Sequence, residues 1–417
     1  MRFASTPMLT RTFLFSIAGA GALAITGCAM DGRDAVSDDP QSDESDATPQ
    51  EPSMAVCSGG RFVCKSHVRT DAHNRIRPFA TPSGLGPADL ASAYKLSASK
   101  TSTATIAIID AFNYPNAESD LARYRSQFGL PACTKANGCL TIVNQNGATS
   151  PLPGNAPAGD DWTVEAALDL DMASAACPTC KLVLVEAQDD QGDGLFIAQN
   201  AAAALPGVVA ISNSWGESSP GNDASLDTQF FTHTQAVNVF VSSGDSGNTG
   251  SAGDYPSTSE HVISVGGTHL VKSSTATRGW TETVWSGAGS TCSTILAKPS
   301  FQTPAVPTAA CSRRAASDIA AVADPNTGVA VFNAGSGGFI VVGGTSASSP
   351  FVAGVFARYG IAATSGHDAS FAYTHTSQFF DITSGRNGSC TSALCRAATG
   401  WDGPTGIGSP NGALLAP

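Results

Sequence analysis

TIAIID at 105–110 decides the fold, because it is short, apolar almost throughout and lacks the alternation of a strand with one wet face. Such a run suits a parallel strand buried on both sides. A helix over 116–129 follows, then LTIV at 140–143, a helix over 162–176 and KLVLVEA at 181–187. The alternation continues with a helix over 194–205, VVAISNS at 208–214, a helix over 223–236, VNVFVSSG at 237–244 and HVISVGG at 261–267. Repeated strand and helix units predict an α/β fold, a mostly parallel central sheet with helices on both faces. Functional groups are then expected beyond the carboxyl ends of the strands. The stretch from Gly267 to Pro325 reads as loops. Beyond it come GVAVF at 328–332, FIVVGG at 339–344 and a helix opening at Thr345. No internal repeat appears, so one domain from about residue 80 onward is the simplest division.

Composition narrows the class. The 417 residues are 42% hydrophobic and only 13% charged, with 43 glycines, which describes a loop-rich globular chain and not a coiled coil. A net charge of −12 argues against a nucleic-acid partner. At the N-terminus, Arg2 and Arg11 precede an apolar run from Phe13 to Ile25 that reads as an export signal. It ends in Ile25-Thr26-Gly27-Cys28, which resembles a bacterial lipobox, so lipidation of Cys28 and a membrane tether are expected over plain cleavage nearby. Residues 31–53 are too polar to fold and read as a linker. Eleven cysteines less Cys28 leave an even set in close pairs, suited to disulfides in an oxidising compartment. Neighbour pairing gives 57 with 64, 133 with 139, 177 with 180, 292 with 311, and 390 with 395. The Cys292–Cys311 loop would gain most, about 3 kcal/mol in the chain-entropy model.

Three motifs carry candidate chemistry. GGTSASSP at 343–350 sets Ser346 after a glycine turn at a helix start, where the first amides and the helix dipole favour negative charge. A plain Ser/Thr cap would look the same. The base for such a serine is usually histidine, yet the histidines at 67, 73, 233, 261, 269, 367 and 375 lie in no convincing motif, and no HGT follows the first strand. The helix from Trp162 instead offers Glu165 and Asp169, four apart and so on one face. Two such carboxyls cannot both ionise freely, which lifts one pKa toward general-base range. Alanine, leucine and valine around them argue against a solvated acidic stripe. In SSGDSG at 242–247, Asp245 follows a strand end, where a protonated carboxyl could donate to an oxyanion, although an Asp-Gly turn is the blander account.

As a set, these motifs resemble the sedolisin family, serine-carboxyl peptidases with a subtilisin-like fold, from about Gly86 to Gly412. The resemblance implies Ser346 as nucleophile, Glu165 as general base, Asp169 as its supporting carboxylate and Asp245 as oxyanion donor. It also implies that Ser212-Asn-Ser-Trp215-Gly216 pairs with extended substrate, and it makes Asp110 a candidate for touching the base glutamate. Phe380-Asp381-Ile382-Thr383 and 398–406 resemble the family's calcium loops. One structural Ca2+ would be held by the side chains of Asp381 and Asp402 and the carbonyls of Ile382, Ala398 and Gly400. The expected division is an export signal at 1–28, a linker at 29–56, a short pro-segment or packed arm at 57–82 and a peptidase domain at 83–417. The expected protein is a monomer acting on polypeptides, extracellular or anchored to the bacterial envelope. Relatives often carry a long inhibitory propeptide, whereas here about fifty residues separate Cys28 from the first fold-like segment. A catalytically silent binding protein on the same fold, or a subtilisin-type protease using a distant histidine such as His261 or His269, are the alternatives.

Overall fold

The computed structural model describes residues 51–364 and 369–417. The expected export signal, Cys28 and most of the expected linker therefore lie outside the described residues. The run at 105–110 forms the strand Thr105–Ala111, buried along its whole length. It lies within an eight-stranded sheet. Lys181–Ala187 and Val208–Asn213 flank it in parallel. Leu140–Asn144 continues the sheet on one side, and Asn238–Ser242 followed by Ile263–Lys272 continue it on the other, all in parallel. Trp280–Val284 closes that edge antiparallel, and Ile319–Val322 pairs in parallel with 265–268. Because the central strands run the same way, their carboxyl ends share one edge, and Asp110, Ser214 and Asp245 all arrive there.

Two helices frame that edge. In Trp162–Ala176 every residue but Thr163 is buried, and in Thr345–Tyr359 every residue but Arg358. Helices with almost no solvent-facing side belong inside the molecule, and these two pack on each other. Gly354 sets their spacing, since a Cβ there would lie 2.6 Å from that of Ala176. All five expected disulfides are present, each closing a short loop.

Two expectations about elements need correction. The helix expected over 223–236 stops early: Asp223–Leu226 is helical, Asp227–Phe231 winds as a wider π turn, and Thr232 is already extended. The region 267–325 is also not merely loops. Besides Trp280–Val284 and Ile319–Val322 it holds the antiparallel pair Ser290–Ala297 and Arg313–Ala316.

The stretch ahead of the domain lies on the body. Val63–Cys64 pairs antiparallel with Trp215–Ser218. His67–Arg69 pairs antiparallel with the strand Gly338–Gly343 that leads into Ser346.

Candidate active site

The chain reaches Ser346 through a turn that only glycine can make. Gly344 has φ 111°, and a Cβ there would lie 2.2 Å from the Lys65 carbonyl oxygen and 2.5 Å from Asp245 Oδ2. Ser346 is fully buried. Its backbone N–H, in the first turn of the helix, donates to the Lys65 carbonyl at 2.9 Å. Its Oγ donates to the Ser214 carbonyl at 3.1 Å.

Glu165 and Asp169 project from one face of their helix into the same buried space, both with no exposed surface. The Ser66 hydroxyl donates to Glu165 Oε2, and Glu165 Oε1 has no hydrogen-bond partner among the described residues. Ser214 Oγ donates to Asp169 Oδ1 at 2.9 Å, leaving Oδ2 without a partner. Burial drives both pKa values well up, and the charge of Asp110 adds to the rise; the hydroxyls of Ser346 and Ser66 act against it at Glu165. Asp110, at the end of its strand, is not the cap or turn former its position allowed. It is buried, neither oxygen has a hydrogen-bond partner among the described residues, and burial with the neighbouring Glu186 pushes it up to about 8. Three buried carboxyls thus hold their protons more tightly than free ones would. Such a group binds a proton tightly and can pass it on.

Asp245 stands on the other side of the turn. Its Oδ1 accepts from the backbone N–H and the hydroxyl of Thr345, both at 2.8 Å, which ties it to the start of the Ser346 helix. Its Oδ2 has no hydrogen-bond partner among the described residues, and His67 Nε2 lies 3.7 Å away. Burial raises its pKa to about 7 despite the two bonds from Thr345. Over the acid range this carboxyl carries a proton, and Oδ2 is the atom left to present it. Glu165, Asp169, Asp245 and Ser346 therefore lie around one buried space.

A family model described as the subtilase family matches residues 154–379. The chain belongs to the subtilase family. Kumamolisin from Bacillus sp. (strain MN-32) is 32% identical over 366 residues, covering 81% of this chain and 64% of that protein. Sedolisin from Pseudomonas sp. (strain 101) is 29% identical over 376 residues, covering 81% of this chain and 61% of that protein. The chain thus spans a little over three fifths of the length of either curated relative. The solved structure of Pseudomonas sedolisin, a serine-carboxyl proteinase complexed with two molecules of pseudo-iodotyrostatin, is 26% identical with a TM-score of 0.66. The match covers 80% of this chain and 97% of that one. In sequence and in structure this subtilase is similar to these relatives, and it has a subtilisin-like fold.

The expected calcium loops of this subtilase also meet. Asp381 Oδ2 accepts from Gly400 N at 3.0 Å, and Asp402 Oδ2 accepts from Ala398 N at 3.1 Å, so the two carboxylates flank one short loop. Asp402 is buried and pushed up to about 7, chiefly by burial, with Asp381 adding repulsion. Two carboxyls in mutual repulsion around carbonyl-bearing backbone suit a hard cation. Among the described residues no three His, Cys, Asp or Glu side chains converge as a metal cluster, so such an ion would depend on backbone carbonyls.

Sequence reasoning missed Lys65, Ser66, His67 and Asp254, all of which border the site. The only local hint was the Cys57–Cys64 pair, marking 57–64 as a structured loop.

Proposed function

We propose that this subtilase is an exported serine-carboxyl endopeptidase. The observation that supports it best is a buried carboxyl, Glu165, beside the hydroxyl of a serine at a helix start, with a protonatable Asp245 on the far side of the same turn. In this reading Glu165 takes the proton of Ser346 Oγ as the oxygen attacks a peptide carbonyl. Asp169, fixed by Ser214, holds charge and orientation around Glu165. The oxyanion that forms is met by the Ser346 N–H and by neutral Asp245. Glu165 then returns the proton to the leaving amine, and water repeats the sequence to release the acyl group.

The protonation states set an acid optimum. Asp245 must be neutral, which holds below its pKa of about 7, while the Glu165 cluster must have released a proton. Activity should therefore rise through the acid range and fall as Asp245 ionises. Digestion of a peptide library across pH, with wild type beside Ser346→Ala and Glu165→Gln, tests this. Ser346→Ala should lower kcat by about 10⁴-fold or more with the fold unchanged by circular dichroism. An optimum in the alkaline range, or turnover surviving in Ser346→Ala, removes the mechanism.

Asp381, Asp402 and the carbonyls of Ile382, Ala398 and Gly400 would hold one structural Ca2+, tying the two loops together. Export follows from the signal-like N-terminus, with Cys28 as the lipid attachment point. Among the described residues no helix is long and apolar enough to cross a membrane.

A further inference from the structure

The cleft beside Ser346 is filled by the protein's own chain. Upstream of the 65–66 bond, Val63 and Cys64 lie antiparallel to Gly216 and Trp215, and the Lys65 N–H donates to the Ser214 carbonyl at 2.9 Å. Downstream, His67 and Val68 lie antiparallel to Gly343 and Val342. The segment is thus handed from one wall strand to another, extended, and the handover falls at the catalytic serine. There the Lys65 carbonyl oxygen accepts from the Ser346 N–H and lies beside Asp245 Oδ2, both oxygens being within 2.5 Å of the point a Gly344 Cβ would occupy. On the other side of the same bond, the Ser66 hydroxyl reaches Glu165. The carbonyl is where an oxyanion would be stabilised, and the leaving nitrogen belongs to the residue that touches the proton carrier.

The side chains are read as well. The Lys65 stem passes over Gly216, where a Cβ would come within 3.2 Å of its Cε, and Nζ bonds Asp254 Oδ2 at 2.9 Å. Asp254 is held at the pocket's end by the pairing of 254–255 with Trp215–Ser218, and its Oδ1 is buried without a hydrogen-bond partner among the described residues. Three residues upstream, Phe62 is fully buried against Phe196 and Trp215, with ring centroids at 5.0 and 5.3 Å.

We propose that residues 62–67 are a built-in substrate, that Lys65–Ser66 is the bond this chain cleaves in itself, and that Asp254 makes the adjoining pocket select lysine or arginine. The proposal rests on Ser346 being the nucleophile. Ser346 Oγ bonds to the Lys65 carbonyl carbon and its proton passes to Glu165. The bond to the Ser66 nitrogen breaks as Glu165 returns that proton to it, and water then hydrolyses the Lys65 ester to a carboxylate. Until then the segment keeps other peptides out. The resting geometry is also unready, since Ser346 Oγ donates to Ser214 and the Ser66 hydroxyl occupies one oxygen of the base.

The test uses the full chain. Purified protein is brought to acid pH and its termini are read by mass spectrometry, for wild type, Ser346→Ala, Lys65→Glu and Lys65→Arg. The processed wild type is then given a peptide panel identical except for lysine, arginine, leucine or glutamate before the scissile bond, beside Asp254→Asn. Expected are a new N-terminus at Ser66 in wild type and Lys65→Arg, an intact Ser346→Ala chain, and cleavage slowed about 100-fold in Lys65→Glu. Lysine and arginine peptides should exceed leucine in kcat/KM by about tenfold or more, and Asp254→Asn should shrink that ratio toward one. Peptides hydrolysed without a cut after Lys65, or without basic preference, overturn this proposal and leave the peptidase reading standing. No hydrolysis of any peptide or of the chain itself overturns both.

Discussion

Asp245 is where the proposed chemistry can be tested most sharply with one side chain. If its neutral carboxyl donates to the oxyanion, Asp245→Ala should lower kcat by about 10²–10³-fold with little change in KM. Asp245→Asn keeps a donor at every pH. In the wild type the donor is lost as pH rises through about 7, so the asparagine variant should retain activity on the alkaline side, and its pH profile should extend upward. An unchanged alkaline limb would remove Asp245 from that role. Glu165 and Asp169 could be read in the sequence because both ride on one helix, where spacing alone fixes their proximity. Lys65, Ser66 and Asp254 could not. Their meeting depends on strand pairings between residues distant in sequence, 63 with 216 and 254 with 218, and no local pattern encodes those.

Among the elements, the two buried helices carry Glu165 and Ser346, so their spacing is functional. Gly354→Leu places a side chain where even a Cβ lies 2.6 Å from Ala176. It should lower stability by about 1–3 kcal/mol, seen as a reduced midpoint in urea, and depress kcat beyond what unfolding explains. Gly354→Leu with wild-type stability would mean the helices do not hold each other as described. The parallel strands were legible because burial on both faces makes them continuously apolar. The pair Ser290–Ala297 and Arg313–Ala316 was not, since its residues are mixed and its register is interrupted between Cys292 and Ala297. The expected helix over 223–236 failed because the chain is already extended at Thr232, six residues before the strand Asn238–Ser242 begins.

Taken as a whole, the molecule stores protons. Asp110 at about 8, Asp245 and Glu186 at about 7, and Glu165 and Asp169 well up all keep protons in the folded state that an unfolded chain releases near pH 4. Because the folded state binds more protons, stability is full below the unfolded values and declines as pH rises through about 4 to 8. Burial raises Asp254 and Asp245, and Lys65, whose Nζ lies on Asp254, offsets part of that rise at both. Melting temperatures should therefore be highest in acid and fall steadily toward neutrality; a maximum near pH 8 would contradict the buried-carboxyl account. With calcium held as proposed, a chelator should lower the melting temperature as well, and added calcium should restore it. Every disulfide among the described residues is local, and Cys57 is joined to Cys64, on its own side of the Lys65–Ser66 junction. Once that junction is severed, no covalent thread among the described residues holds the upstream fragment to the body. It becomes a small ringed cork, and awakening of the enzyme would then depend on dilution, with crowded molecules re-stoppering one another and scattered ones staying open.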